Sequence, residues 1–212
     1  MIIRKSFAIE TAHKVLNCTT HRCSHSTHGH SALVEVFFTA TGLDNGQMIV
    51  DFGLMKDTIK TFIDSFDHTY VFWNKMPEEE KEYHKKFSER WIELPVSPSA
   101  ESSSLLMLYV IDKIVEATQF NNGEQSPKVV SVRYHETKSG YSESFREDLE
   151  WVRYVLRDIH FSLGIIDEWK DPNWWNSLVH QYSIYANSET EWIDTKLPKE
   201  KIFINPIVKQ QV

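Results

Sequence analysis

From His28 to Ala40 every second residue reads His28, His30, Ala32, Val34, Val36, Phe38, Ala40, and the alternate face carries Gly29, Ser31, Glu35 and Thr39 with Leu33 and Phe37. Alternation sustained this long is the signature of a strand with one buried face, because successive side chains point to opposite sides. It also puts two imidazoles on that face at one end, since residues i and i+2 project the same way. A second period-two segment, residues 2–12, presents Phe7 and Ile9 and runs into His13. If the two strands pair, the ring of His13 reaches the same point, and Gly29 is expected to leave room for an ion there. Three nitrogen ligands imply an open fourth position, the pattern of catalytic rather than structural zinc.

Composition supports metal or thiol chemistry in this stretch. The chain has 10 histidines against 2 cysteines; His13, His21, His25, His28 and His30 cluster together, and Cys18 and Cys23 lie among them. The start, Met1-Ile2-Ile3-Arg4-Lys5, lacks the apolar run of an export signal, so the cysteines point away from a disulfide and the chain reads as cytoplasmic. No apolar window suits a membrane span, so no membrane partner is expected. A formal net charge of -7 gives no support for nucleic-acid binding, while leaving an anionic small substrate open if a local basic patch offsets the field.

The remaining pattern gives the architecture. Leu43-Asp44-Asn45-Gly46 is a turn, Asp51 a helix cap, and Met55, Ile59, Phe62, Ile63 and Phe66 fall at helical spacing. Residues 75–95 are rich in mixed charge and read as a solvated, partly helical insertion. Ser97-Pro98-Ser99-Ala100-Glu101 starts a second helix carrying Leu106, Tyr109, Val110, Ile114 and Ala117. Residues 129–135 and 141–145 are strands joined by a turn at Lys138-Ser139-Gly140. The order ββααββ predicts an α+β domain over 1–146, an antiparallel sheet with two helices on one face. Over 147–212 we expect a helical, Trp-rich extension, from Val152, Val155, Leu156, Ile159, Leu163 and from Trp175, Leu178, Val179, Tyr182. Five of the seven tryptophans lie beyond residue 150, a concentration that favours core or subunit interface over a ligand box.

Other residues can carry proton transfer. A metal or His⁺ neighbour would lower the Cys23 thiol toward the working pH and make it a base or nucleophile. Asp67-His68 pairs a carboxylate with an imidazole, and Glu136 at a strand end can accept two N–H bonds from a heterocycle edge.

Read in order, Phe7-x-Ile9-x-x-Ala12-His13, Cys23, His28-Gly29-His30-Ser31, Val50-Asp51-Phe52-Gly53-Leu54-Met55-Lys56, Phe66-Asp67-His68, Pro98-Ser99-Ala100-Glu101 and His135-Glu136-Thr137 resemble the 6-pyruvoyltetrahydropterin and 6-carboxytetrahydropterin synthase family. The resemblance runs from residue 2 to about 146 and implies the tunnelling fold (T-fold). It implies zinc on His13, His28 and His30, Cys23 as the proton-abstracting base, Asp67 and His68 as its assistants, and Glu136 as pterin anchor and relay member. Ser99 and Glu101 would line the same pocket. It further implies 7,8-dihydroneopterin triphosphate as substrate and a homohexamer, a dimer of trimers, with sites between subunits. The favoured product is 6-carboxytetrahydropterin, with acetaldehyde and triphosphate released, in 7-deazaguanine (queuosine) biosynthesis; the alternative is the 6-pyruvoyl product.

Four residues separate Cys23 from His28, a spacing between those usual in the two branches, and neither the insertion nor the extension belongs to the compact family pattern. Two other classes stay open on the residues alone. One is a metallohydrolase of another substrate; the other is a non-catalytic module, its zinc closed by His25, Cys18 or Cys23 and its Trp-rich tail a partner surface.

Overall fold

The computed structural model describes residues 1–186 and 191–205. In chain order the elements are β1 (Ile3–His13), α1 (His21–His25), β2 (His28–Thr39), α2 (Phe52–Met55), α3 (Thr58–Asp64), β3 (Thr69–Trp73), α4 (Glu78–Phe87), β4 (Trp91–Leu94) and α5 (Ala100–Glu116). They continue as β5 (Thr118–Phe120), β6 (Lys128–His135), β7 (Tyr141–Phe145), β8 (His160–Phe161), α6 (Leu163–Ile166), α7 (Trp174–Tyr182), β9 (Ser183–Tyr185), β10 (Trp192–Asp194) and β11 (Phe203–Asn205).

The anticipated antiparallel strands form the heart of a seven-stranded sheet ordered β7-β6-β2-β1-β3-β4-β8. β1 and β2 pair along their whole length, from Ile3 opposite Phe38 to His13 opposite His28. Period two then does what the sequence requires: Phe7, Ile9, Ala32, Val34, Val36 and Phe38 are buried on one face. α5 covers that face. Its apolar residues from Leu106 to Val115 are buried, and Ser99 caps it by accepting the Ser102 N–H at 3.2 Å. Each fully buried large apolar side chain contributes about 1.5–3 kcal/mol, so the sheet and α5 hold the domain together chiefly by burial.

The sheet also contains strands that the helical and charged patterns concealed. β3 joins β1 in parallel and β4 joins β3 in parallel, the latter built from the end of the charged insertion. Within that insertion α4 buries no residue completely, as a solvated helix should, yet it is pinned to the sheet. Lys14 Nζ holds Glu80 at 2.8 Å, and His84 stacks on Tyr70 with ring centroids 3.7 Å apart. The first expected helix is broken into α2 and α3, with Asp57 outside helical geometry between them.

Beyond residue 147 one of the two expected helices forms. α7 buries Trp174, Trp175, Leu178 and Tyr182. Residues 152–163 do not make the other. Asp158 accepts the Val155 N–H at 3.1 Å and Asp194 accepts that of Leu156 at 2.8 Å, so side chains take the donors a helix would use. The segment runs instead through a short 3₁₀ turn into β8, which pairs with β4. Three of the five tryptophans beyond residue 150 are core: Trp169, Trp174 and Trp175 join the same hydrophobic cluster as Phe7 and Val34, whereas Trp151 is exposed and Trp192 is half-buried outside it.

Candidate metal centre

His13 ends β1 and His28 begins β2 directly opposite it, while His30 lies one pleat further along the same face. The register alone therefore gathers three imidazoles. The Nε2 atoms of His13 and His28 stand 3.2 Å apart, and one ring nitrogen from each of the three residues falls within 4.8 Å of the others. Two nitrogens each bound at about 2.0–2.1 Å to one tetrahedral ion lie roughly 3.3 Å apart, so the spacing suits a shared ion. His30 Nε2 is buried without a hydrogen-bond partner. An orphaned buried nitrogen is costly unless something absent from the polypeptide occupies it, and a divalent metal fits.

The protonation states agree. Burial, followed by the proximity of His28 and His30, lowers the His13 pKa to about 4, against the opposing effect of the Pro98 carbonyl. His13 is thus neutral, with a lone pair to give. His28 Nδ1–H donates to the Ser26 carbonyl at 3.0 Å, which leaves Nε2 as the free nitrogen. Glu136, one residue past β6, brings Oε1 to 3.6 Å from His13 Nε2 and 3.7 Å from His30 Nε2. Its carboxylate faces the triad.

One expectation about the triad needs correction. Gly29 does not make space for the ion, because its missing side chain points to the opposite face of the strand. A Cβ there would lie 3.1 Å from the Thr11 carbonyl oxygen, so glycine serves the close approach of β2 to β1.

The other sequence-predicted residues are distributed unevenly. Cys23 lies in α1, within the connection that joins His13 to His28, and its carbonyl accepts the Val15 N–H at 2.9 Å. Both cysteines are free. Ser99 is engaged as the cap of α5, and Glu101 is exposed in the first turn of that helix. Pro98, immediately before the cap, is the residue of this motif that touches the triad, a role its sequence position did not signal.

Asp67 and His68 are joined to each other but not to the three rings. Asp67 Oδ2 meets His68 Nδ1 at 2.9 Å, and its Oδ1 accepts the Glu10 N–H at 2.6 Å. Glu10 belongs to the exposed face of β1, whereas His13 belongs to the buried one. His68 and His30 share only the wall of a shallow depression that also includes Glu10, Ala12, Gly29 and Ser31. Partial burial pushes the Asp67 carboxyl upward, but the Glu10 N–H, His68 and Arg90 outweigh it and hold it below the ordinary value.

A largely antiparallel sheet with α3 and α5 on one face, and three histidines gathered at the end of its central hairpin, defines a tunnelling-fold protein with a candidate metal centre. The chain belongs to the 6-pyruvoyl tetrahydropterin synthase family, whose model matches residues 2–147. A 6-carboxy-5,6,7,8-tetrahydropterin synthase of Helicobacter pylori strain J99 is 40% identical over 183 residues, covering 84% of this chain and 92% of the relative. That span exceeds residues 2–147, so part of the extension has a counterpart there, which the sequence motifs did not disclose. Among solved structures, an uncharacterized protein of Wolinella succinogenes shares the fold with a TM-score of 0.56 at 19% identity, covering 69% of this chain and 98% of that one. A Plasmodium vivax 6-pyruvoyl tetrahydropterin synthase does so with a TM-score of 0.51 at 13% identity, covering 69% and 98%. No helix among the described residues is long and apolar enough to cross a membrane.

Proposed function

We propose that this chain is a zinc-dependent 6-carboxy-5,6,7,8-tetrahydropterin synthase, a lyase that converts 7,8-dihydroneopterin triphosphate to 6-carboxytetrahydropterin, acetaldehyde and triphosphate. The observation that carries the reading is the buried, partnerless Nε2 of His30 beside the neutral His13 and tautomer-fixed His28. Zinc held by these three residues would supply Lewis acidity for the substrate side-chain hydroxyls and for the negative charge that develops on proton removal. Cys23 is the base that takes the carbon-bound proton; its place in the connection that joins His13 to His28 supports that role. Glu136 accepts the amino and ring N–H groups of the pterin and passes protons at its second oxygen. Ser99 and Glu101 border the pterin pocket at the start of α5. Asp67 and His68, on the other face of β1, serve a relay across a subunit boundary in a homohexamer. This enzyme works in the cytoplasm and feeds 7-deazaguanine (queuosine) synthesis.

Incubation of the zinc-loaded protein with 7,8-dihydroneopterin triphosphate, followed by mass analysis, tests the reading. We expect acetaldehyde and a 6-carboxy pterin. A 6-pyruvoyl pterin would assign the chain to the other branch, and unchanged substrate would remove both.

A further inference from the structure

We propose that Arg90 is a positioning residue for the Asp67–His68 pair, clamping the turn that presents it. The inference rests on the relay role given above to that pair. Arg90 lies at the end of the charged insertion, immediately before β4, and nothing in its local sequence marks it. Its side chain reaches back to the end of α3, where Nε donates to the Asp67 carbonyl at 3.0 Å and Nη2 to the Asp64 carbonyl at 3.1 Å. The planar fork suits two carbonyls at once, and a cation at a helix C-terminus is favoured by the exposed carbonyl dipoles. Its third nitrogen, Nη1, pairs with Glu168 of the extension.

The turn requires such restraint. His68 has φ of +52°, the left-handed region that a non-glycine residue occupies only when its surroundings over-determine it. Its own N–H is fixed by the Glu10 carbonyl at 2.6 Å. Thr69 Oγ1 donates to the Ser65 carbonyl at 2.8 Å, and Trp169 Nε1 donates to Ser65 Oγ at 2.9 Å. The charged insertion and the C-terminal extension thus converge on one turn. Arg90 is the residue that touches both the turn and the extension.

Zinc-loaded Arg90→Ala and Arg90→Lys proteins test the proposal through steady-state turnover of dihydroneopterin triphosphate and through nitrogen NMR of the His68 imidazole. Misplacing a reacting group by about 1 Å costs on the order of 100-fold in rate. We expect kcat of Arg90→Ala to fall by about that factor with KM little changed, and Arg90→Lys to recover part of it. The signature of the hydrogen bond from His68 Nδ1 to Asp67 should weaken in Arg90→Ala. If Arg90→Ala does not fold, an intermediate kcat and altered His68 spectrum in Arg90→Lys support the clamp. Wild-type kcat with an unchanged imidazole spectrum in a folded Arg90 variant overturns it. Should the wild-type protein leave the triphosphate untouched, the functional reading fails, and the NMR comparison still decides whether Arg90 holds the pair.

Discussion

The two faces of β1 carry two differently constructed groups. On the buried face, the histidine triad comes from one strand pair, and its geometry follows from a single register, His13 opposite His28. On the exposed face, the Asp67–His68 turn is held by its own neighbour Thr69 and by Glu10, Arg90 and Trp169, contributed by three separate segments. A group built by one hairpin can be lost by changing one of its members. One held by many contacts should weaken by degrees, and the two faces should therefore respond differently to substitution.

The largest effect is expected on the buried face. Replacing His30 by alanine removes one of three ligands, and metal polarisation is worth several kcal/mol in the transition state. We expect His30→Ala to lose bound zinc by metal analysis, to lose turnover by more than the about 100-fold typical of a missing outer-shell partner, and to keep its circular dichroism spectrum. A variant that held one equivalent of zinc as tightly as the wild type would break the assignment of the triad.

A smaller effect separates the two faces of β2 at the glycine between the ligands. If Gly29 made room for the ion, Gly29→Ala would expel zinc and spare stability. Its Cβ instead meets the Thr11 carbonyl at 3.1 Å, and Thr11 is held by strands on both sides, so its backbone yields little. We expect zinc to be retained and stability to fall by roughly 1 kcal/mol, the lower end of overpacking costs. For a chain of this size that lowers Tm by about 2–4 °C, measurable by calorimetry.

The same contrast explains what could be read from the sequence. Period-two alternation carries its own register information, so the β1–β2 hairpin, the triad and the covered face were legible from residues 2–40. α5 was legible because Pro98 and Ser99 punctuate a long apolar period. β3 and β4 were not, since Thr69–Trp73 is apolar without alternation and Trp91–Leu94 follows a charged run whose composition masks it. Nor was the non-helical path of residues 152–163, where Asp158 and the distant Asp194 capture backbone donors. The Asp67–His68 dipeptide was visible, but its placement on the other face of β1 and its clamp by Arg90 depend on contacts remote in sequence.

The smallest effect concerns the exposed face and acid pH. Asp67 binds the Glu10 N–H and His68 in the folded chain, and its pKa is lowered from the reference 3.8. A carboxyl whose folded pKa lies below its unfolded one binds more protons when unfolded across the interval between them, so stability rises with pH there. The contribution of Asp67 is therefore present above about pH 4 and is lost as pH falls through the lower, folded value. Its side chain is 37% exposed, so solvent screens the ion pair and the change is modest. Asn at this position keeps an oxygen for the Glu10 N–H while removing the charge. Urea unfolding of wild type and Asp67→Asn between neutral pH and pH 2 should give curves separated at neutrality that converge at the acid end. Parallel curves would mean that the carboxylate carries no folded-state advantage, and the exposed-face turn would then owe its geometry to Arg90, Thr69 and Trp169 alone.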